Sequence, residues 1–204
     1  MSRKIFWEQR AKKEGLTYGK KPSLSAQLTL PFILKGYNVL TIGDAYGRNA
    51  SLFAKHGVEV INVDLCREWI KDADRLKRNL PITNICEDII NSSFKNKSFE
   101  IVFANFVLHF FTERELKLLF KKLRKWLRDP ALFICSWISE KDQYTHSGYP
   151  KSCYLKHYTE KDLKRLYKQN NFELVKLLQI SEIETIFDKQ RKTHFWFSVA
   201  KPMR

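Results

Sequence analysis

Two periods of apolar and polar residues alternate along the chain. Apolar runs fall at 38–42, 58–63, 82–86, 99–105 and 131–138. Runs of this length, rich in β-branched residues and bounded by polar turns, predict buried strands. Helical spacing appears between them. Trp69, Ile70, Ala73, Leu76 and Leu80 lie on one stripe of a helix predicted over 68–80. Leu116, Leu119, Phe120, Leu123, Trp126 and Leu127 form another, opened by Thr112 with Glu115 three residues on, the spacing of a capping box. Further helices are predicted over 25–34, over 48–55 and after Thr159, the last carrying Leu163, Leu166 and Tyr167. Two late strands at about 172–180 and 193–200 complete the pattern as an antiparallel hairpin. Five β-α units followed by a hairpin predict an α/β fold. The expected architecture is a Rossmann-like, doubly wound, mostly parallel seven-stranded sheet with an antiparallel C-terminal edge hairpin.

Composition narrows the class. With 204 residues, 44% of them hydrophobic and 14% aromatic, the chain can bury a sizeable core and does not read as disordered. The expected organisation is a single domain over 1–204, with 1–37 as a lead-in over the ligand site and 38–204 as the core. No apolar run approaches a membrane span: Val102 to Phe111 is about half the length needed and carries Asn105 and His109. No apolar stretch follows Met1, so the expected location is cytoplasmic. Cysteines at 66, 86, 135 and 153 form no CxxC pair and have no histidine at zinc-ligand spacing, so reduced thiols and no metal site are expected. The net charge of +15 is the unusual bulk feature. It fits either a polyanion footprint or a lysine-rich solvated surface, of which Lys117, Lys121, Lys122, Arg124 and Lys125 on one helix are an example.

The chemistry concentrates between Val39 and Leu65. Gly43 and Gly47 in the turn after the first strand let backbone approach a ligand closely. Asp64, twenty positions beyond Asp44 and at the end of the second strand, is placed to accept hydrogen bonds from ribose hydroxyls. Two glycines alone are a weak signal, because the full dinucleotide fingerprint is absent; Asp64 and the downstream pattern strengthen it.

On these residues the chain resembles the class I S-adenosylmethionine-dependent methyltransferases, and most closely their small tellurite-resistance and thiopurine-type branch. The resemblance covers nearly the whole chain. Trp7 to Arg10 and Tyr18 to Ser23 are similar to that branch's lead-in, and Gly43 through Ala50 to its first motif, including Gly47, Arg48 and Asn49. Val63 to Leu65, Glu87 to Ile89, Phe99 to His109, His157 to Leu163 and Ala200 to Pro202 resemble later motifs. The resemblance implies S-adenosylmethionine as cofactor and S-adenosylhomocysteine as product. It implies that Gly43, Asp44 and Gly47 face the methionine part and the ribose, and that Asp64 binds the ribose hydroxyls. Leu65 would pack on adenine, Asp88 would accept from its amino group, Ile89 would offer a backbone N–H, and Asn105 would border the sulfonium. Three departures stand out. Thr41 replaces the usual acid, displacing it to Asp44. Ala45 replaces the middle glycine, which costs roughly 1–2 kcal/mol if the backbone there is left-handed. Asp129 to Ala131 replaces the usual Pro-Gly-Gly turn.

Methyl transfer from a sulfonium needs positioning more than a general base. His194 is the first candidate base, with Tyr18 and Tyr158 behind it; His109 reads as a core histidine. Tyr144, His146 and Tyr149 fall in a polar, aromatic cover loop. The leading expectation is a methyltransferase for a small molecule, anionic in keeping with the charge, such as a metalloid oxyanion or a thiol. An RNA methyltransferase or RNA-binding protein on the same fold would show a basic surface leading into the cofactor cleft. A non-catalytic protein of this fold would not bind the cofactor.

Overall fold

The computed structural model describes residues 2–142, 154–186 and 189–203. Its sheet has the strand order β3-β2-β1-β4-β5-β7-β6. The strands are β1 (Asn38–Ile42), β2 (Glu59–Asp64), β3 (Ile82–Cys86), β4 (Phe99–Asn105), β5 (Leu127–Ile138), β6 (Phe172–Ile186) and β7 (Lys189–Pro202). The pairs from β3 through β5 are parallel; β7 runs antiparallel to β5, and β6 antiparallel to β7. The helices are α1 (Arg3–Glu14), α2 (Leu24–Thr29), α3 (Arg48–Lys55), α4 (Arg67–Leu76), α5 (Glu113–Trp126) and α6 (Glu160–Gln169).

Strand side chains alternate between two cores, as a sheet covered on both faces requires. Leu40, Val102 and Ala104 join Leu119, Phe120 and Trp126 of α5 on one face. Val39, Ile101 and Phe103 join Ala50 and Phe53 of α3 and Ala26 of α2 on the other. Phe53 meets Phe103 edge-on at 5.1 Å, and burial of each such ring is worth about 1.5–3 kcal/mol. The expected capping box forms, and a second one is present. Thr112 and Glu115 open α5, and Thr159 and Asp162 open α6.

The fold differs from the sequence expectation in five places, one of them β5, which begins at Leu127 rather than at 131 and so takes Leu127 out of the α5 stripe. The lead-in contains a full helix, α1, whose polar sequence gives little amphipathic signal; it is held by tertiary packing of Trp7 on Trp69 (5.7 Å) and on Phe110 (5.2 Å). The helix expected over 25–34 ends at Thr29 and tightens into a 3-10 turn at Leu30–Phe32, where Pro31 removes a donor. The helix expected to reach Leu80 stops at Leu76, because Arg78 takes a left-handed conformation (φ 50°). The C-terminal hairpin is longer than expected: β7 leaves β5 at the Ile138–Phe195 pair while β6 and β7 pair on to Ile186–Lys189. This overhang projects beyond the C-terminal end of β5. Asp142 ties it down by accepting from the His194 N–H (2.7 Å) and from Arg191 Nη2 (2.6 Å). Tyr144, His146, Tyr149 and Cys153 lie outside the described residues.

Candidate active site

A cavity opens at the C-terminal ends of β1, β2 and β4, roofed by α1 and closed on one side by the β7 overhang. Parallel strands direct their carboxyl ends to one edge, and the crevice between β1 and β4 is where the strand order reverses.

The first turn is built from backbone geometry. Gly43 takes φ +67° and donates to the Val63 carbonyl at 2.8 Å. A Cβ there would lie 2.5 Å from Val107 Cγ2, so this position admits only glycine without rearrangement. Ala45 is left-handed (φ 49°), so the cost of an alanine at this position applies, and its N–H donates to Asp64 Oδ2 at 2.9 Å. Gly47 (φ +77°) precedes α3. Asp44 folds back over that helix: its carboxylate accepts from the N–H groups of Asn49 (3.1 Å) and Ala50 (2.7 Å) and from Asn49 Nδ2 (2.6 Å). Burial nevertheless pushes its carboxyl up to about 7. Thr41 lies below the turn, buried and donating to Asn62 Oδ1 at 3.1 Å.

Asp64 ends β2 and accepts the backbone N–H groups of Ala45 and Cys66 (2.8 Å) on separate oxygens, leaving each a second acceptor site. Burial raises it to about 6. Leu65 lines the cavity beside it, and Ile89 contributes a buried apolar wall. Asp88 accepts from the Ile90 N–H and pairs with Arg3 of α1, each at 3.1 Å. Asn105 closes β4 at the cavity wall, and its buried Oδ1 has no hydrogen-bond partner among the described residues. An unmet buried acceptor costs about 1–3 kcal/mol, which a ligand donor at this wall would recover. Gly43, Asp44, Asp64, Leu65, Asp88, Ile89 and Asn105 all line this one cavity; Gly47 lies just behind, at the head of α3.

The lead-in is bolted to the same turn. Tyr46 Oη accepts the Tyr18 N–H and donates to the Gly19 carbonyl, each at 2.8 Å. Arg48 donates to the Tyr18 carbonyl at 2.7 Å and stands over the Tyr18 ring. Tyr18 thus lines the cavity, whereas the other two base candidates do not. His194 sits on the opposite face of β7 from its neighbour Thr193, with Nδ1 2.7 Å from Ser181 Oγ. Strand alternation sends the two side chains to opposite faces. Tyr158 is buried against Trp137 (4.9 Å), away from the cavity.

The cavity instead gathers His109, Arg191 and Thr193 opposite the first turn. Burial, with a smaller contribution from His157, pushes the His109 imidazole down to about 3, so it is neutral at physiological pH. Its place four residues after Asn105 was the available signal for it. Arg191 and Thr193 had none, because their position depends on the hairpin overhang.

Residues 40–135 match a family described as "Methyltransferase domain". Phosphoethanolamine N-methyltransferase 3 of Arabidopsis thaliana is 28% identical over 98 residues, 47% of this chain and 20% of the plant enzyme. Phosphoethanolamine N-methyltransferase 1 of Triticum aestivum is 30% identical over 97 residues, again 20% of its length. The chain thus spans only about a fifth of the curated relatives it matches. Among solved structures, the Burkholderia thailandensis 1,6-didemethyltoxoflavin-N1-methyltransferase, with 1,6-didemethyltoxoflavin and S-adenosylhomocysteine bound, superposes with a TM-score of 0.75 at 16% identity, covering 98% of this chain and 85% of that one. TehB of Haemophilus influenzae superposes with a TM-score of 0.70 at 17% identity, over 96% and 66% of the two chains. Residues 40–135 are therefore similar to a methyltransferase domain, and the chain has the fold of these two solved structures.

Proposed function

We propose that this chain transfers a methyl group from S-adenosylmethionine to a small-molecule acceptor, as one domain in which residues 1–37 cover the cofactor site. The observation that carries this reading is the polar wall left by three consecutive parallel strands: Asp44 after β1, Asp64 at the end of β2 and the unmet Asn105 Oδ1 at the end of β4. These groups suit a ligand rich in donors. Asp64 accepts from ribose hydroxyls, and Leu65 packs on adenine. Asp88 accepts from the adenine amino group, while Ile89 offers its N–H. Gly43, Asp44 and Gly47 shape the methionine side, and Asn105 borders the sulfonium. When bound, S-adenosylmethionine supplies a methyl group on a good leaving group for in-line displacement. The protein's part is to orient the acceptor and exclude water, the latter through α1 and the Tyr18 segment.

The acceptor enters from the side of His109, Arg191 and Thr193. His109 is neutral, and a ring nitrogen can accept a hydrogen bond from an acceptor O–H or N–H and so orient it; Tyr18 stands at the same cavity. Arg191 is half-buried and oriented by its ion pair with Asp142, and brings guanidinium N–H donors to the cavity. Likeness to the tellurite-resistance and thiopurine-type branch supports screening metalloid oxyanions and thiols first. The plant relatives add phosphoethanolamine, also anionic, to the screen. Two features bear on a non-catalytic alternative: the turn forms with Ala45 in place, and Asp44 occupies the cavity wall that Thr41 does not reach.

Calorimetric titration with S-adenosylmethionine and S-adenosylhomocysteine tests the cofactor site. Micromolar binding that Asp64→Ala abolishes is the expected result, and no binding by the wild type at millimolar cofactor overturns the proposal. Methyl transfer from labelled cofactor across the acceptor screen then identifies the substrate.

A further inference from the structure

At the other end of the sheet, a groove runs beneath the N-terminal ends of β1, β4 and β5 and the C-terminal end of β7. Its cations are Lys97, Lys121, Arg124, Lys125, Arg128 and Lys201, against the carboxylates Glu100 and Asp129. Arg128 is paired with Glu100 at 2.5 Å and Lys201 with Glu173 at 3.1 Å. Lys97, Lys121, Arg124 and Lys125 are exposed and make no ion pair among the described residues. Arg124 and Lys125 also complement the C-terminal dipole of α5, but Lys97 lies outside that helix and Lys121 before its last turn. Phe32 and Tyr37, both half-buried, supply aromatic surface at the same groove.

Four uncompensated cations in a groove with aromatic faces match the physics of single-stranded nucleic acid binding, in which phosphates follow the cations and bases stack on the rings. We propose that this groove docks a single-stranded RNA segment. It lies at the opposite strand ends from the cavity. The strand is therefore held rather than presented for methylation, and the proposal does not depend on the cofactor reading. It also gives part of the +15 charge a defined place.

The test is fluorescence anisotropy of the full chain with a labelled oligouridine of about twelve nucleotides, in about 50 to 300 mM salt. Engagement of the four cations predicts a slope of log affinity against log salt of about −3. Lys121→Glu with Arg124→Glu should weaken binding at least about tenfold at the lower salt. Lys12→Glu with Lys13→Glu, the same charge change on exposed positions of α1, should leave it within about threefold. Tyr37→Leu should weaken it about fivefold or more through lost stacking. Circular dichroism of each variant checks that the fold is kept. Absence of binding at the lower salt overturns the proposal. Equal weakening by both double variants also overturns it, because attraction would then follow net charge rather than the groove. Binding to phosphatidylserine vesicles with none to the oligouridine would assign the groove to a membrane surface and overturn it as well.

Discussion

The two walls of the cavity are built in different ways. The wall from Gly43 to Asp64 is local: one turn, one helix cap and one strand end, each carboxylate held by backbone N–H groups within a few residues of it or in the turn after the adjacent strand. The facing wall is assembled from distant chain, with His109 after β4 and with Arg191 and Thr193 from a hairpin overhang anchored through Asp142. A wall fixed by backbone geometry tolerates little change and suits an invariant ligand. A wall made of side chains on a projecting hairpin can be altered without disturbing the turn, and suits whatever acceptor a given chain takes.

The sharpest break of this comparison is Asp64→Ala. It should lower S-adenosylhomocysteine affinity by about 100-fold, since it removes a charged acceptor and frees the Ala45 N–H, and calorimetry reads it directly. Next comes Gly43→Ala, whose Cβ collides with Val107 in a left-handed backbone; a loss of roughly 2–3 kcal/mol in denaturant unfolding is expected, with weaker cofactor binding. If the variant unfolds like wild type, the first turn is more pliable than its geometry indicates.

The pH dependence probes the same wall. The Asp44 and Asp64 carboxyls, raised from 3.8 to about 7 and about 6, keep their protons to higher pH in the fold than in the unfolded chain. The native state then binds more protons between about pH 4 and pH 7, so these groups' contribution to stability falls as pH rises through that window. The melting temperature of wild type relative to Asp44→Asn should drop from pH 5 to pH 8, and a flat difference would mean that Asp44 is ionised throughout. Ala45→Gly, by contrast, relieves a left-handed alanine and should stabilise the folded chain by at most about 1 kcal/mol, read as a small rise in melting temperature. A last variant sharpens the contrast. His109→Gln should leave S-adenosylhomocysteine affinity within about threefold while lowering turnover of an identified acceptor by about tenfold, through lost positioning of the acceptor. Loss of cofactor binding would show that the two walls are not separable.

Much of this was legible along the chain. The ends of β1, β3 and β4 and of α3 fall where the apolar runs and turns put them. Thr112 caps α5 as its spacing to Glu115 predicts, because a capping box is a contact between residues three apart, and Thr159 opens α6 where a helix start is expected. Less legible was α1, whose helix depends on Trp7 finding Trp69 and Phe110. His194 and Tyr158 are base candidates along the chain, yet strand alternation turns one away from the cavity and burial against Trp137 takes the other. In both cases the deciding partner lies far off in sequence.

By itself, then, the sequence determined the alternation of strands and helices, the glycine turn and the placing of Asp44 and Asp64, because these rest on backbone sterics and on contacts between near neighbours. Only the tertiary structure decided which residues face Asp64 across the cavity, where the lead-in docks and which lysines share a groove. Those depend on how far β6 and β7 run past β5 and on which strand ends meet, and side chains brought together across more than eighty residues of chain, as His109 and Arg191 are, leave no local pattern to read.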